Sequence, residues 1–188
     1  GIESGLDDVL KFMKKDHDLA QAYQAIDRLH EAGLIYDAHI MTGVAGKGRG
    51  MENAEALAQF LNRTNPAHVV NFSMFLHKEV PLYQDIRQGT FVPADELETI
   101  REEYHLIERI APEKVGANIL YDGFHDFIHV RVRGHLPGDK EKMLAKLNGI
   151  IQEYEGKEPV YSFVQGECPD LEYCDDGKAV WDMDRKTS

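Results

Sequence analysis

Two short apolar runs, residues 34–42 and 68–76, each lie between segments with helical spacing, and this alternation restricts the chain to a narrow group of folds. Leu19, Ala22, Tyr23, Ile26 and Leu29 form one apolar stripe, which stops at Gly33, where a helix end takes a left-handed residue. Ala54, Leu57, Ala58 and Leu61 form a second stripe between the two runs. Leu97, Ile100, Tyr104 and Ile107 form a third, with Pro93 in its first turn. Short apolar runs bounded by turn residues and alternating with helices predict βα units around a parallel sheet, with the strands covered on both faces.

Leu6, Val9, Leu10 and Met13 predict a further helix over residues 5–14, with Ser4 as N-cap and Asp7 in the capping-box position. Past Pro112 the rhythm changes. In FIHVRVRGH the apolar Val130 and Val132 alternate with His129, Arg131, Arg133 and His135, as in a strand with one wet face. A helix over residues 139–154 follows, carrying Met143, Leu147, Ile150 and Tyr154, and residues 157–188 read as an acidic tail expected to be partly disordered. The resulting sheet of few strands has raw edges, so either further strands precede it or two copies pair as a homodimer through those edges.

Charge and cysteine usage narrow the function. Thirty-three acidic against 21 basic residues leave a net charge of -12, which argues against a nucleic-acid or anionic-membrane partner. No apolar run approaches the roughly 20 residues of a membrane span, and the first residues lack a basic, apolar export signal. Cys168 and Cys174 are too few for a disulfide framework and their spacing fits no common zinc or iron-sulfur pattern, so a reducing, cytoplasmic location is expected. The start Gly1-Ile2-Glu3-Ser4 has no initiator Met and is expected to continue a longer chain.

The loop GVAGKGRG, residues 43–50, invites a phosphate-cradle reading, but the Walker spacing fails at Met41 and at Gly48, and no dinucleotide fingerprint can be laid on its glycines. Another reading comes from the order of three stretches: GIESGLDDVLKFMKK, AIDRLHEAGLIYDAHIMTGVAGKGRG and VVNFSMFLHKEVPLY. Taken together they resemble the second half of a radical S-adenosylmethionine enzyme, in the branch of anaerobic coproporphyrinogen oxidases, Elongator-type and methylthiotransferase proteins. Gly1, Glu3, Ser4 and Gly5 match the end of the fourth barrel strand, and Leu10, Lys11, Met13 and Lys15 the helix after it. Gly43 and Gly46 match the loop after the fifth strand, and Pro81, Leu82 and Tyr83 the segment after the sixth.

The resemblance implies an α/β fold: strands four to six of a partial (βα)6 barrel over residues 1–111, then a strand-helix extension over 112–156. For the complete protein it implies S-adenosylmethionine and a [4Fe-4S] cluster, with reductive cleavage starting radical chemistry on a substrate the chain does not identify. It implies cofactor contacts from Glu3 and Ser4 at the ribose, Lys15 near the methionine carboxylate, and His39, Met41 and Gly43 beside ribose and adenine, with Asn71 and Ser73 facing the pocket. The family's Cys-x3-Cys-x2-Cys is absent and Ala45 replaces the loop's common Pro, so the chain alone is expected to be inactive and to need an N-terminal half as partner.

Two other classes remain open at this stage. The half-barrel could be a non-catalytic binding or self-assembly module. His125, Asp126, His129 and His135 could also ligate a metal, although residues along one extended strand diverge by about 3.3 Å each and a polar strand face is the simpler reading. With Arg131 and Arg133 that face makes a small basic patch.

Overall fold

The computed structural model of the chain describes residues 1–163, so Cys168, Cys174 and most of the expected acidic tail lie outside the described residues. The first helix, α1, spans Asp7–Phe12, shorter than its periodicity predicts, and Ser4 is not its cap. The Ser4 hydroxyl accepts from the Leu6 N–H at 3.1 Å while donating to Asn53 at 2.6 Å, so it serves a tertiary contact instead. Helix α2, Leu19–Glu31, opens on a reciprocal box between Asp18 and Gln21. It closes as expected: Gly33 has φ +70°, and the N–H groups of Gly33 and Leu34 return to the carbonyls of His30 and Leu29.

The remaining elements are β1 (Asp37–Thr42), α3 (Gly50–Thr64), β2 (His68–Ser73), α4 (Leu82–Gln88), α5 (Glu96–Arg109), β3 (Ile119–His125), β4 (Val130–Leu136) and α6 (Lys140–Tyr154). A single 3-10 turn, Asp126–Ile128, joins β3 to β4. The strands form one open sheet in the order β1-β2-β3-β4, parallel across the first three and antiparallel at the last. This is a mixed α/β fold that fits a partial, unclosed (βα) barrel.

Strand β3 has no counterpart in the sequence reading. Only Ile119 and Tyr121 supply large apolar side chains on its covered face, and Asp122 and Gly123 break the apolar run. The alternating segment after it is β4, but it starts at Val130. His129 lies in the connecting turn at φ +54° and is not on the strand face.

Helices cover one face of the sheet among the described residues, which corrects the expectation of strands covered on both. Ala38 and Ile40 of β1, and Val69, Asn71 and Ser73 of β2, face the helices, while His39, Val70 and Phe72 point the other way and are half-buried or exposed. The main core fills the covered side with Leu57 and Leu61 of α3, Ile100, Leu106 and Ile107 of α5, and Met143 and Leu147 of α6. Each such fully buried side chain contributes about 1.5–3 kcal/mol relative to exposure. This core runs continuously from β1 to α6, so residues 112–156 extend the same sheet and core. A smaller cluster around Val44, Met74, Leu76 and Phe91 packs the loops at the carboxyl ends of the strands.

The outer edge of β1 is occupied. The N–H groups of Ile2 and Glu3 donate to the His39 carbonyl and the Met41 N–H donates to the Glu3 carbonyl, giving a parallel bridge between Glu3 and Ile40. Residues 2–3 thus run beside β1 as a strand end would.

Candidate functional site

In an open α/β sheet the chemistry gathers at the carboxyl ends of the strands, here Thr42, Ser73 and His125. Helix α5 meets those ends from beneath. Asp95 caps it by accepting the Glu98 N–H at 2.8 Å, and the register this sets turns Glu96, Thr99, Glu102 and Glu103 toward the sheet. All four are buried, the three glutamates to 1% exposure or less.

Buried carboxylates are tolerated only where donors surround them, and each has its own set. The ring nitrogens of fully buried His125 contact Glu96 at 2.9 Å through Nδ1 and Glu103 at 3.0 Å through Nε2. Since both nitrogens face carboxylate oxygens, the ring carries both protons and donates twice. Burial alone would lower its pKa, but the hydrogen bonds and charges of Glu103 and Glu96 outweigh that and hold it at about 10. Glu96 also accepts from Ser73 at 3.0 Å, and Glu103 from Asn71 at 3.1 Å and Tyr121 at 2.9 Å. Burial, then the charge of Glu103, pushes the Tyr121 hydroxyl well above its ordinary range, so it stays a donor.

Glu102 ties the other side of the network. It accepts from the Gly43 N–H at 2.8 Å and from Asn53 at 2.7 Å, while Asn53 accepts from Ser4 and from the Gly5 N–H. Burial pushes the Glu102 carboxyl up to about 8 despite these donors. The ends of all three parallel strands, and the turn after Glu3, are therefore fastened to α3 and α5 by two adjoining polar sets, one on Glu102 and one on Glu96, Glu103 and His125. Gly43 makes this possible: it has φ +81°, and a Cβ there would stand 2.8 Å from Thr99 Cγ2.

The open face has a different character. Register aligns His39, Val70, Asp122 and Arg133 in one row and Met41, Phe72, Phe124 and Arg131 in the next. Phe72 and Phe124 stack with centroids 5.4 Å apart, and the Arg131 guanidinium lies 4.7 Å over the Phe124 ring while gripping Asp122 through two hydrogen bonds of 2.7 and 2.6 Å. That grip holds the Asp122 carboxyl below its usual range.

The residues the resemblance singles out divide between these two settings. Ser4, Gly43, Asn71 and Ser73 belong to the buried network: Asn71 and Ser73 turn away from the open face, and the Gly43 N–H is taken by Glu102. Glu3, at φ +61°, pairs with Lys15 at 3.1 Å where both are about a quarter to a third exposed. His39 and Met41 lie on the open face, and His39, Ile2, His17 and Tyr36 border a cleft of about 330 Å³ between β1 and α2. A nucleoside-type ligand on the open face would find polar and apolar partners in Glu3, Lys15, His39 and Met41. The other four fit a supporting place beneath it.

The glycine loop carries Lys47 and Arg49. Lys47 is exposed, whereas Arg49 joins Asp8 at 2.8 Å and Glu52 at 2.9 Å in a surface cluster. The three histidines considered as metal ligands are separated. His125 is under the sheet, His129 in the turn, and His135 exposed on the open face beside Leu120.

Glu96, Glu102, Glu103 and His125 as a buried set escape a reading by apolar periodicity, because glutamates on a helix are assigned to solvent. One signal was present: Glu103 falls three residues after Ile100 and four before Ile107, in the middle of the apolar stripe.

No family model and no curated protein matches the chain. Among solved structures, its fold is similar to that of Elp3 from the archaeon Methanocaldococcus infernus, solved with its N-terminal residues 1–46 deleted. The TM-score is 0.58 at 18% sequence identity, and the match covers 81% of this chain and 35% of that one. The chain therefore spans about a third of the length of the Elp3 it resembles, and at this identity the likeness is one of fold.

Proposed function

We propose that this chain is the C-terminal part of the partial (βα) barrel of a radical S-adenosylmethionine enzyme, whose open sheet face looks onto the cofactor space. The observation that carries this reading is the parallel pairing of residues 2–3 with the outer edge of β1. In the complete protein β1 would then be an interior strand, continued on that side by strands of a preceding segment. The fold shared with Elp3 supports the same assignment.

In the complete protein the cluster and S-adenosylmethionine would supply the reductive cleavage that starts radical chemistry. The cluster's thiolates would come from the preceding segment. This chain's contribution is binding and positioning. Lys15 offers a cation and Glu3 a hydroxyl acceptor at the sheet edge, and His39 and Met41 flank the same edge. Beneath them Glu102 accepts from the Gly43 N–H and Glu103 from the Asn71 amide, which hold the strand ends in place. Alone, the chain is expected to be inactive.

The test is anaerobic reconstitution of the complete encoded protein with iron, sulfide and a reductant, followed by measurement of 5'-deoxyadenosine released from S-adenosylmethionine. Release that is lost on Lys15→Ala supports the reading. An encoded protein lacking Cys-x3-Cys-x2-Cys ahead of Gly1, or one that holds a cluster yet yields no 5'-deoxyadenosine, sinks it. The stacked Phe72 and Phe124 on the open face favour one competing reading, a self-assembly module. A monomer whose elution is independent of concentration would dismiss it.

A further inference from the structure

The cleft between the edge strand β4 and helix α6, about 420 Å³, is lined by Arg131, Arg133, Lys142 and Lys146 around Val132 and Met143. The two arginines stand two residues apart on β4 and the two lysines one turn apart on α6. Lys146 is fixed across the edge by donating to the Arg131 carbonyl at 2.6 Å, and all four cations are exposed. Asp122 faces both arginines, so four positive charges meet one carboxylate in a chain whose net charge is -12.

Several cations elsewhere are paired. Lys15 meets Glu3, Arg49 meets Asp8 and Glu52, Arg63 meets Asp27, Arg101 meets Glu155, and Arg109 meets Glu55. The β4–α6 cleft is where positive charge accumulates without equal compensation. Its floor, Val132 and Met143, is apolar.

The chain holds a segment of the opposite character. Residues 167–176, outside the described residues, read ECPDLEYCDD: Glu167, Asp170, Glu172, Asp175 and Asp176 with no Lys or Arg, and with Leu171 and Tyr173 between them. The described chain ends at Phe163, which bridges Leu76 just past the carboxyl end of β2, the same end of the sheet at which Arg131 lies. From β2 to β4 is two strand spacings of about 4.8 Å, and from the level of Leu76 to that of Arg131 is up to four residues of about 3.3 Å, a path of about 16 Å that residues 164–168 can span.

We propose that the acidic segment 167–176 seats in the β4–α6 cleft of its own chain, its carboxylates on Arg133, Lys142 and Lys146. Seated there, it covers the free edge of the sheet and lies beside Arg131 and Arg133 at the margin of the open face. This inference stands on charge, reach and the cleft, and does not depend on the function proposed above.

Cys168 and Cys174 are the only cysteines of the chain, so a nitroxide label attached to the native thiols reports where this segment lies. Paramagnetic broadening of amide signals is measured on the full chain. At low salt the signals of Arg133, Lys142 and Lys146 lose most of their intensity. They recover in 1 M NaCl, where the screening length is about 3 Å, and in the exposed double variant Lys142→Glu with Lys146→Glu. Broadening that is absent from these residues, that persists in the double variant, or that appears only between labelled and unlabelled copies overturns the proposal. The last result would place the segment on a second copy.

Discussion

Replacing His125 by Leu tests whether the buried network is held by an ion triad. His125 has no exposed surface and donates to Glu96 and Glu103, themselves 1% and 0% exposed. Leucine removes the one cation that the described residues place against Glu96 and Glu103 and leaves two carboxylates beneath the sheet with neutral donors alone: Ser73 and Thr99 on Glu96, Asn71 and Tyr121 on Glu103. Stranding a buried charge in this way costs about 3–5 kcal/mol, a large share of the total stability of an ordinary domain. At a urea slope of about 2 kcal/mol per M the unfolding midpoint, followed by circular dichroism, falls by about 2 M.

The same variant has a pH signature. His125 is raised from an ordinary value near 6.5 to about 10, which corresponds to about 5 kcal/mol of linkage. Because the folded pKa lies above the unfolded one, this stability is present in full below pH 6.5 and is lost as pH rises through 10. The gap between wild type and His125→Leu should therefore narrow between pH 7 and 10, with Glu96, Glu103, Glu102 and Tyr121 the groups around the ring. Adding Glu96→Gln and Glu103→Gln to His125→Leu should cost less than the sum of the separate changes, because no charge is then stranded. A loss below about 1 kcal/mol for His125→Leu, or a gap that widens with pH, would refute the ion triad.

Glu102→Leu leaves the Gly43 N–H and the Asn53 amide buried without their acceptor, and urea unfolding should show a loss of about 2–6 kcal/mol at about 1–3 per orphaned donor. It should also flatten the decline in stability that wild type shows as pH rises from the ordinary carboxyl range through about 8, the raised value of Glu102. Gly43→Ala must hold a Cβ at φ +81° against Thr99, so its thermal midpoint should fall by an amount matching at least about 1–2 kcal/mol. Arg49→Ala removes exposed ion pairs to Asp8 and Glu52 and should change stability by less than about 1 kcal/mol in the same assays.

Several elements were legible in the chain itself because local spacing encodes them. The stripe from Leu19 to Leu29 with Gly33 behind it specified α2 and its stop, and the short runs around Ile40 and Val69 specified β1 and β2. The alternation of Val130 and Val132 with arginines specified β4. Strand β3 was not legible: its Asp122 and Gly123 suit neighbours on other strands, Arg131 on β4 and Glu103 beneath, and no local period remains. The number of covered faces was hidden as well, since Val70 and Phe72 are as apolar as Val69 and which of them meets a helix depends on where the helices pack.

The candidate site divides in the same way. Glu3, Lys15, His39 and Met41 could be named from motif order, and folding leaves them at the sheet edge and on the open face. Ser4, Asn71 and Ser73 were named for a ligand, yet tertiary structure gave them to Asn53, Glu103 and Glu96. What a polar side chain does depends on which donors and acceptors arrive opposite it. Those arrive from positions more than 20 residues away, as Glu96 and Glu103 do for His125. By itself, then, the sequence determined where the helices and apolar strands lie and which residues carry charge. Only the packing of α5 against three strand ends decided which charges would be buried, because burial is a property of all the surfaces that meet and not of any one segment.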